Sequence, residues 1–157
     1  MERVRKGHNA PDYKENNDYY TPEWIFEALG ESYDLDVCAP TGGVPWLPAK
    51  EHYDIEADGL IKPWHGFVWC NPPYSKPSPW IDKFIAHGNG LMLVQVTKSK
   101  AFINLWNAGD AVSMLLPSLK FVHMTAGLKG IFMSVVLVGM GDRATAAMKK
   151  ANFSRVR

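Results

Sequence analysis

The sequence contains little cysteine and no long apolar run. Its two cysteines, Cys38 and Cys70, could form one disulfide at most and lack the paired short spacing of a zinc site. A reduced, intracellular protein is therefore the favoured interpretation. The longest apolar stretch, residues 131–141, is much shorter than the roughly 20 residues that cross a bilayer. Residues 1–20 are polar and charged, so we expect neither export nor membrane insertion.

A large excess of charge of one sign is also missing, but the charges are unevenly distributed. The 157 residues include 17 Lys and Arg against 16 Asp and Glu, and 46% are apolar, which is typical of one globular domain. Residues 1–74 carry a net charge of −7 and residues 75–157 a net charge of +8. We therefore expect an acidic half that suits a cationic ligand and a basic half that suits phosphate. The five histidines lack ligand spacing, so no metal site is expected.

Proline and glycine divide the chain into alternating helices and strands. Thr21-Pro22 predicts a helix start with the Thr21 hydroxyl as its cap, and Gly30 ends that helix. Further strands are predicted over residues 33–39, 67–70, 91–96, 111–116 and 131–138, and further helices over residues 78–86 and 101–107. Residues 41–65 show little periodicity and are predicted to be mostly loop. The alternation predicts an α/β fold with a mostly parallel sheet, whose last two strands form an antiparallel pair at one edge.

The most informative motif is the tetrad Asn71-Pro72-Pro73-Tyr74, which follows the strand at 67–70. Its chance occurrence in a chain of this length is about one in a thousand or less. Two acceptors aimed at the protons of a planar exocyclic amine, such as the 6-amino group of adenine, make its nitrogen more pyramidal and reactive toward an electrophilic methyl group. The Asn71 side-chain oxygen and the Pro72 carbonyl suit this task, since consecutive prolines fix the direction of that carbonyl. Tyr74 then offers a ring on which an extruded base can stack.

Residues 36–39 end the first predicted strand of the sheet, and Asn71 follows a later one. Ligands of open α/β sheets bind outside the carboxyl ends of the strands, where the strand order reverses. If these two strands are neighbours there, a cofactor and an amine substrate meet between them, and Asp36 faces the ammonium group of the cofactor. A solvated acid at a strand end is the alternative interpretation of Asp36.

These residues resemble a known family, the phage-type (Dam-type) DNA N-6-adenine methyltransferases, over residues 18–141. The matching segments are residues 18–29, 35–39, 49–53, 58–60, 64–66 and 67–74, and residues 119–121 with 134–137 resemble the closing hairpin of the family. The resemblance implies a single-domain, Rossmann-like fold, S-adenosylmethionine as the cofactor and duplex DNA as the partner. It also implies the cytoplasm of a bacterial host as the location. We predict a flexible arm at 1–17, a methyltransferase domain at 18–141 and a basic tail at 142–157.

The resemblance also implies the roles of individual residues. The cofactor-binding residues would be Thr21, Pro22, Asp36, Cys38, Ala39, Asp58, Gly59 and Asn71. Within this set, Thr21, Asp36 and Ala39 would lie near the methionine moiety. Asp58 and Gly59 would lie near the adenosine, with Asp58 accepting from its 6-amino group. The catalytic residues would be Asn71, Pro72, Pro73 and Tyr74.

Four lysines are candidate contacts to the phosphates of DNA. Lys76, Lys98 and Lys100 follow strand ends on the proposed active face, and Lys120 lies in the predicted hairpin. Ordinary solvated lysines are the alternative interpretation.

We interpret the chain as a site-specific adenine DNA methyltransferase that acts on a flipped-out base, as a monomer or a homodimer. Two alternatives remain. The same tetrad would also serve a methyltransferase that acts on RNA guanine or protein glutamine. A non-catalytic relative that binds the cofactor or DNA would fit the departures from the family pattern at Pro40 and Pro48.

Overall fold

The computed structural model describes residues 19–115, 120–123, 127–130 and 134–153, so the predicted arm at 1–17 lies outside the described residues. In chain order the elements are β1 (Tyr19–Tyr20), α1 (Glu23–Leu29), β2 (Tyr33–Asp36), β3 (Ala49–His52), β4 (Val68–Cys70), α2 (Ser78–His87), β5 (Gly90–Gln95), α3 (Lys100–Ala108), β6 (Ala111–Met114), β7 (Lys120–His123), β8 (Gly127–Gly130), β9 (Val135–Met140) and α4 (Asp142–Ala151). Within these ranges, no helix is both long and apolar enough to cross a membrane.

Six strands form the main sheet in the order β3-β2-β4-β5-β9-β6. The neighbours among β3, β2, β4 and β5 are parallel, whereas β9 runs antiparallel to both β5 and β6. The predicted α/β fold with a mostly parallel sheet is therefore confirmed, and the antiparallel pair of β9 and the edge strand β6 is present. This architecture is that of a Rossmann-like methyltransferase fold.

Helices cover both faces of this sheet. On one face, α1 and α4 pack against a cluster that includes Phe67, Trp69 and Leu91. On the other face, α2 and α3 pack against a cluster that includes Val68 and Met92. Successive residues of β4 and β5 thus point to opposite faces and are buried on both, which is why these strands are continuous apolar runs in the sequence.

The start of α1 differs from the prediction by one residue. Pro22, with φ −66° and ψ 148°, takes the N-cap position, and no side chain caps the helix. The Thr21 hydroxyl is therefore not the cap, because Thr21 lies one residue too early. The predicted end is correct: Gly30 adopts φ +63°, a left-handed conformation that glycine accommodates without steric cost.

Three other segments contain structure that the sequence did not predict. Residues 41–65, expected to be mostly loop, contain the edge strand β3, whose side chains are half-buried or exposed. Within the segment at 142–157, expected to be a basic tail, residues Asp142–Ala151 form α4, which buries Ala144, Ala147 and Met148, and residues 154–157 lie outside the described residues. The strand β7, which contains Lys120, pairs with β8 and β1 and not with residues 134–137.

Candidate active site

The candidate site lies where β2 and β4 end. From β2 the chain goes to β3 on one side and then crosses to β4 on the other, so the strand order reverses between β2 and β4. Asp36 is opposite Trp69 in the parallel pairing, and Asn71 follows the last residue of β4. The structure therefore brings the two ends together, as the sequence led us to expect.

Thr21 holds the side chain of Asn71. The Asn71 Nδ2 atom donates to Thr21 Oγ1 at 3.3 Å, and Thr21 is only 2% exposed. Thr21 is itself held, because Trp46 Nε1 donates to its carbonyl oxygen at 2.8 Å. With Nδ2 engaged in this way, the amide presents Oδ1 as an acceptor.

Two acceptors of the tetrad have no donor among the described residues. No hydrogen bond from the described part of the chain reaches either Asn71 Oδ1 or the carbonyl oxygen of Pro72. Pro72 and Pro73 are buried, which limits the movement of this carbonyl. Each of these two oxygens can therefore accept a hydrogen bond from a bound ligand.

Aromatic rings border this site. Tyr74 is half-buried and packs against the apolar cluster on the α1 side of the sheet. Burial raises the pKa of Tyr74, so its hydroxyl stays protonated at neutral pH. Trp46 packs against the same cluster, and its ring centroid lies 5.7 Å from that of Tyr20. These rings give the site an apolar wall.

Asp36 is a buried carboxyl group that lacks an ionic partner within the described ranges. It is 2% exposed, and its Oδ1 accepts only one described hydrogen bond, from the backbone N–H of Cys38 at 3.3 Å. Burial raises the pKa of Asp36 to about 7 from its usual value of 3.8, against the opposing effect of that hydrogen bond. Burial without a charged partner disfavours the ionised form of this carboxyl group. A cation bound beside Asp36 would therefore stabilise the ionised form.

The segment after β2 packs against the segment that contains Asp58 and Gly59, since Gly59 lies against the carbonyl oxygen of Val37. Cys38 and Ala39 are buried, and the Ala39 N–H donates to the Tyr53 carbonyl at 2.8 Å. Asp58 adopts φ +54°, and its Oδ1 accepts from the Leu60 N–H at 3.0 Å. The predicted cofactor residues on the two segments therefore lie at one end of the sheet.

Gly59 is required by close packing. A Cβ atom at this position would lie 2.0 Å from the carbonyl oxygen of Val37. We therefore expect Gly59→Ala to lower the free energy of unfolding by about 2 kcal/mol or more, because backbone rather than a flexible side chain must move. Urea denaturation measures this loss. Gly42→Ala is the control, because a Cβ atom at this position would meet nothing within 4 Å, although φ is +82°. Only backbone strain should therefore lower its free energy of unfolding, by about 1 kcal/mol.

The candidate DNA-binding lysines are exposed where their side chains are described. Lys76 follows the tetrad, and Lys98 and Lys100 follow β5, whose carboxyl end lies at the same edge of the sheet as that of β4. Lys120 is in β7, and its side chain lies outside the described residues.

Among the described residues, no three His, Cys, Asp or Glu side chains form a cluster that could hold a metal ion.

No pattern in the sequence indicates a role for Lys83, which contacts the segment that contains Asp58. Its Nζ atom donates to the Gly59 carbonyl at 3.0 Å, and Trp64 Nε1 donates to the same oxygen at 2.7 Å. Both side chains act on backbone carbonyls of a loop, so no pattern of residue types marks them.

Cys70 is buried beside Cys38, and burial is the main cause that raises the pKa of the Cys70 thiol.

A mostly parallel sheet with an antiparallel β9 and a polar site at the switch point defines a Rossmann-like α/β protein of the methyltransferase class. The model of the DNA N-6-adenine-methyltransferase (Dam) family matches residues 9–126, well over half of the chain. The chain therefore belongs to this family, which confirms the resemblance found in the sequence. It is similar to the DNA N-6-adenine-methyltransferase of Haemophilus phage HP1 (strain HP1c1), with 27% identity over 119 residues, covering 68% of this chain and 67% of that protein.

Proposed function

We propose that this protein transfers a methyl group from S-adenosylmethionine to the 6-amino group of an adenine that is flipped out of duplex DNA. The observation that carries this proposal is the contact between the buried Thr21 hydroxyl and Asn71 Nδ2, which leaves Asn71 Oδ1, like the Pro72 carbonyl, without a donor among the described residues. Membership of a DNA N-6-adenine-methyltransferase family supports the choice of DNA and of adenine.

The two acceptors would act on the amine of the flipped adenine. Asn71 Oδ1 and the Pro72 carbonyl would each accept a hydrogen bond from one of its two N–H groups and so place partial negative charge near the nitrogen, where positive charge develops. The lone pair is thereby directed toward the methyl group, and no formal base is needed at this step. The Tyr74 ring stacks on the base and offsets part of the cost of flipping, by about 1–3 kcal/mol.

The residues at the end of β2 fit a cationic cofactor. When bound, S-adenosylmethionine supplies an electrophilic methyl group on a sulfonium. The ionised Asp36 would bind its ammonium group, because a buried carboxylate without a described cation gains most from such a partner. Thr21, Pro22, Cys38 and Ala39 would border the methionine moiety. Asp58 and Gly59 would border the adenosine.

Exposed lysines would bind the phosphates that flank the flipped base. Lys76, Lys98 and Lys100 follow β4 or β5 at the edge of the sheet where the tetrad lies, and we propose Lys120 as a fourth contact. Such contacts fix the position of the duplex without reading its sequence. We place the protein in the cytoplasm of a bacterial host, where its substrate would be found.

Transfer of tritiated methyl groups tests this function. The purified protein is incubated with labelled S-adenosylmethionine and with duplex DNA, RNA or protein extracted from one bacterial culture. The labelled product is then hydrolysed and identified. We expect label in N6-methyladenine from duplex DNA. Label in RNA guanine or in protein glutamine instead would reject the proposal in favour of another substrate. No transfer, with retained cofactor binding, would favour a non-catalytic relative.

Thr21→Val is expected to lower kcat by about 10-fold. Valine keeps the shape of the side chain, but the hydroxyl that holds Asn71 Nδ2 is lost, and one hydrogen bond contributes about 0.5–1.5 kcal/mol. Single-turnover methylation of a duplex oligonucleotide measures this effect. Thr21→Ser keeps the hydroxyl and should keep kcat within about threefold of the wild type. Equal rates for the valine and serine variants would contradict the orienting role.

A further inference from the structure

The side chain of Lys83 joins helix α2 to the turn at residues 58–62, and the mechanism above does not use it. The Lys83 ammonium donates to three backbone carbonyls, those of Gly59 at 3.0 Å, Leu60 at 3.1 Å and Lys62 at 2.5 Å. An ammonium has three N–H donors, so the three carbonyls use its full capacity. A single side chain thus holds most of this turn.

Trp64 adds a second link between the same turn and α2. Its indole N–H donates to the Gly59 carbonyl, which therefore accepts from two side chains. The Lys83 Nζ atom lies 5.2 Å from the centroid of the Trp64 ring, within the range of a cation–π interaction. The Trp64 ring also lies 6.5 Å from that of Trp80, a buried residue of α2. The contacts of Lys83, Trp64 and Trp80 therefore form one connected group between the turn and α2.

The apolar side chains of the turn contribute little to its position, which depends on hydrogen bonds within the turn, on the packing of Gly59 against the Val37 carbonyl and on the contacts of Lys83 and Trp64. Leu60 is 37% exposed and Ile61 is 80% exposed, so little apolar burial holds it. Asp58 has a left-handed backbone, which costs a residue other than glycine about 1–2 kcal/mol. Polar contacts must therefore stabilise this conformation. Burial lowers the pKa of Lys83, while the charge of Asp58 opposes this change, which places the Asp58 carboxylate within electrostatic reach of the ammonium.

We propose that Lys83 is a positioning residue for cofactor binding. By holding the carbonyls of the 58–62 turn, it fixes Asp58 and Gly59 where they meet the adenosine end of S-adenosylmethionine. The inference rests on the proposed function, since it concerns the same cofactor. It predicts that Lys83 acts on cofactor affinity, because the carbonyls that it holds belong to the turn that would border the adenosine and not to the tetrad that would act on the adenine.

Lys83→Met tests this proposal, because methionine keeps an unbranched apolar stem and removes the three donors. We expect the KM for S-adenosylmethionine to rise about 10-fold or more, while kcat at saturating cofactor and the KM for duplex DNA stay within twofold. Lys83→Arg keeps the charge but not three donors on one nitrogen, and should raise the same KM about threefold. Lys149→Met, on the exposed face of α4, removes one charge elsewhere and should leave all three parameters unchanged.

The outcomes separate this proposal from the function on which it rests. A wild-type KM for the cofactor in both Lys83 variants would overturn the positioning role and leave the methyltransferase proposal intact. A fall in kcat with unchanged KM would also overturn it, since that result places the effect at the chemical step. Absence of S-adenosylmethionine binding by the wild-type protein would overturn the proposed function and the positioning role together. If Lys83→Met does not fold, the arginine variant supplies the KM comparison.

Discussion

Replacing Asn71 with alanine is expected to lower kcat for adenine methylation by about 10³-fold. The substitution removes the Oδ1 acceptor, and the loss of one preorganised polar group at a reacting centre typically costs 10²–10³ in kcat. Thr21 and the Pro72 carbonyl remain, but one acceptor alone cannot engage both protons of the amine. Single-turnover transfer from labelled S-adenosylmethionine to a duplex oligonucleotide measures the rate.

The same variant should still bind the cofactor. Asn71 is also among the predicted cofactor-binding residues, but Asp36, which we propose as the partner of the cationic ammonium, is untouched, so the Kd for S-adenosylmethionine measured by calorimetry should change by less than about threefold. Asn104→Ala, at an exposed position of α3, is the matched control and should behave like the wild type in both assays. A rate of Asn71→Ala within tenfold of the wild type would contradict the role of the amide.

Asp36→Asn is expected to weaken cofactor binding and to stabilise the ligand-free protein at the same time. The amide keeps the shape of the side chain but carries no charge. A charge-assisted hydrogen bond contributes about 1.5–3 kcal/mol, so the Kd for S-adenosylmethionine should rise about 10- to 100-fold. Calorimetric titration at pH 8 measures this change.

The stability effect follows from the raised pKa of Asp36. Because its folded pKa is about 7 and its usual value is 3.8, the folded protein holds a proton that the unfolded chain releases between these pH values. The ligand-free wild type therefore loses stability as pH rises from about 4 to about 7, by on the order of 4 kcal/mol. Asparagine at position 36 does not ionise, so Asp36→Asn removes this pH-dependent loss of stability. Part of the gain is offset because a polar amide is buried in its place. We expect its Tm at pH 8 to exceed that of the wild type by roughly 4–8 °C, and the difference to shrink toward pH 4.

Asp34→Asn is the matched control, because its pKa moves in the opposite direction. The Phe67 N–H and the Lys50 ammonium lower the pKa of Asp34, so its ionised form stabilises the fold above pH 4. Asp34→Asn should lower the Tm at pH 8 and leave cofactor affinity unchanged. A lower Tm of Asp36→Asn at pH 8 would contradict the raised pKa of the buried Asp36.

The sequence predicted the central sheet and the meeting of Asp36 with Asn71 for physical reasons. Strands β4 and β5 are buried on both faces, so each is a continuous apolar run that turn residues end. Parallel strands end at one edge, so the residues that follow them meet there. The position of the candidate site could therefore be predicted from β2 and β4 alone.

Other parts of the structure leave weak traces in the sequence. The edge strand β3 has no apolar face, so the alternation that indicates a half-buried strand is missing. Helix α4 buries two alanines and one methionine among charged residues, which makes its apolar stripe weak. Lys83 acts through backbone carbonyls of a turn that lies about 20 residues earlier in the chain. Contacts of this kind depend on tertiary packing and not on residue type.

Modification-sensitive sequencing of DNA from cells that express the protein tests the central claim most directly. Cells with the wild-type protein should contain N6-methyladenine in a defined sequence context, and cells with Asn71→Ala, at equal protein level, should contain none above background. Adenine that stays unmodified in both, or a methyl group on another base, would contradict the account.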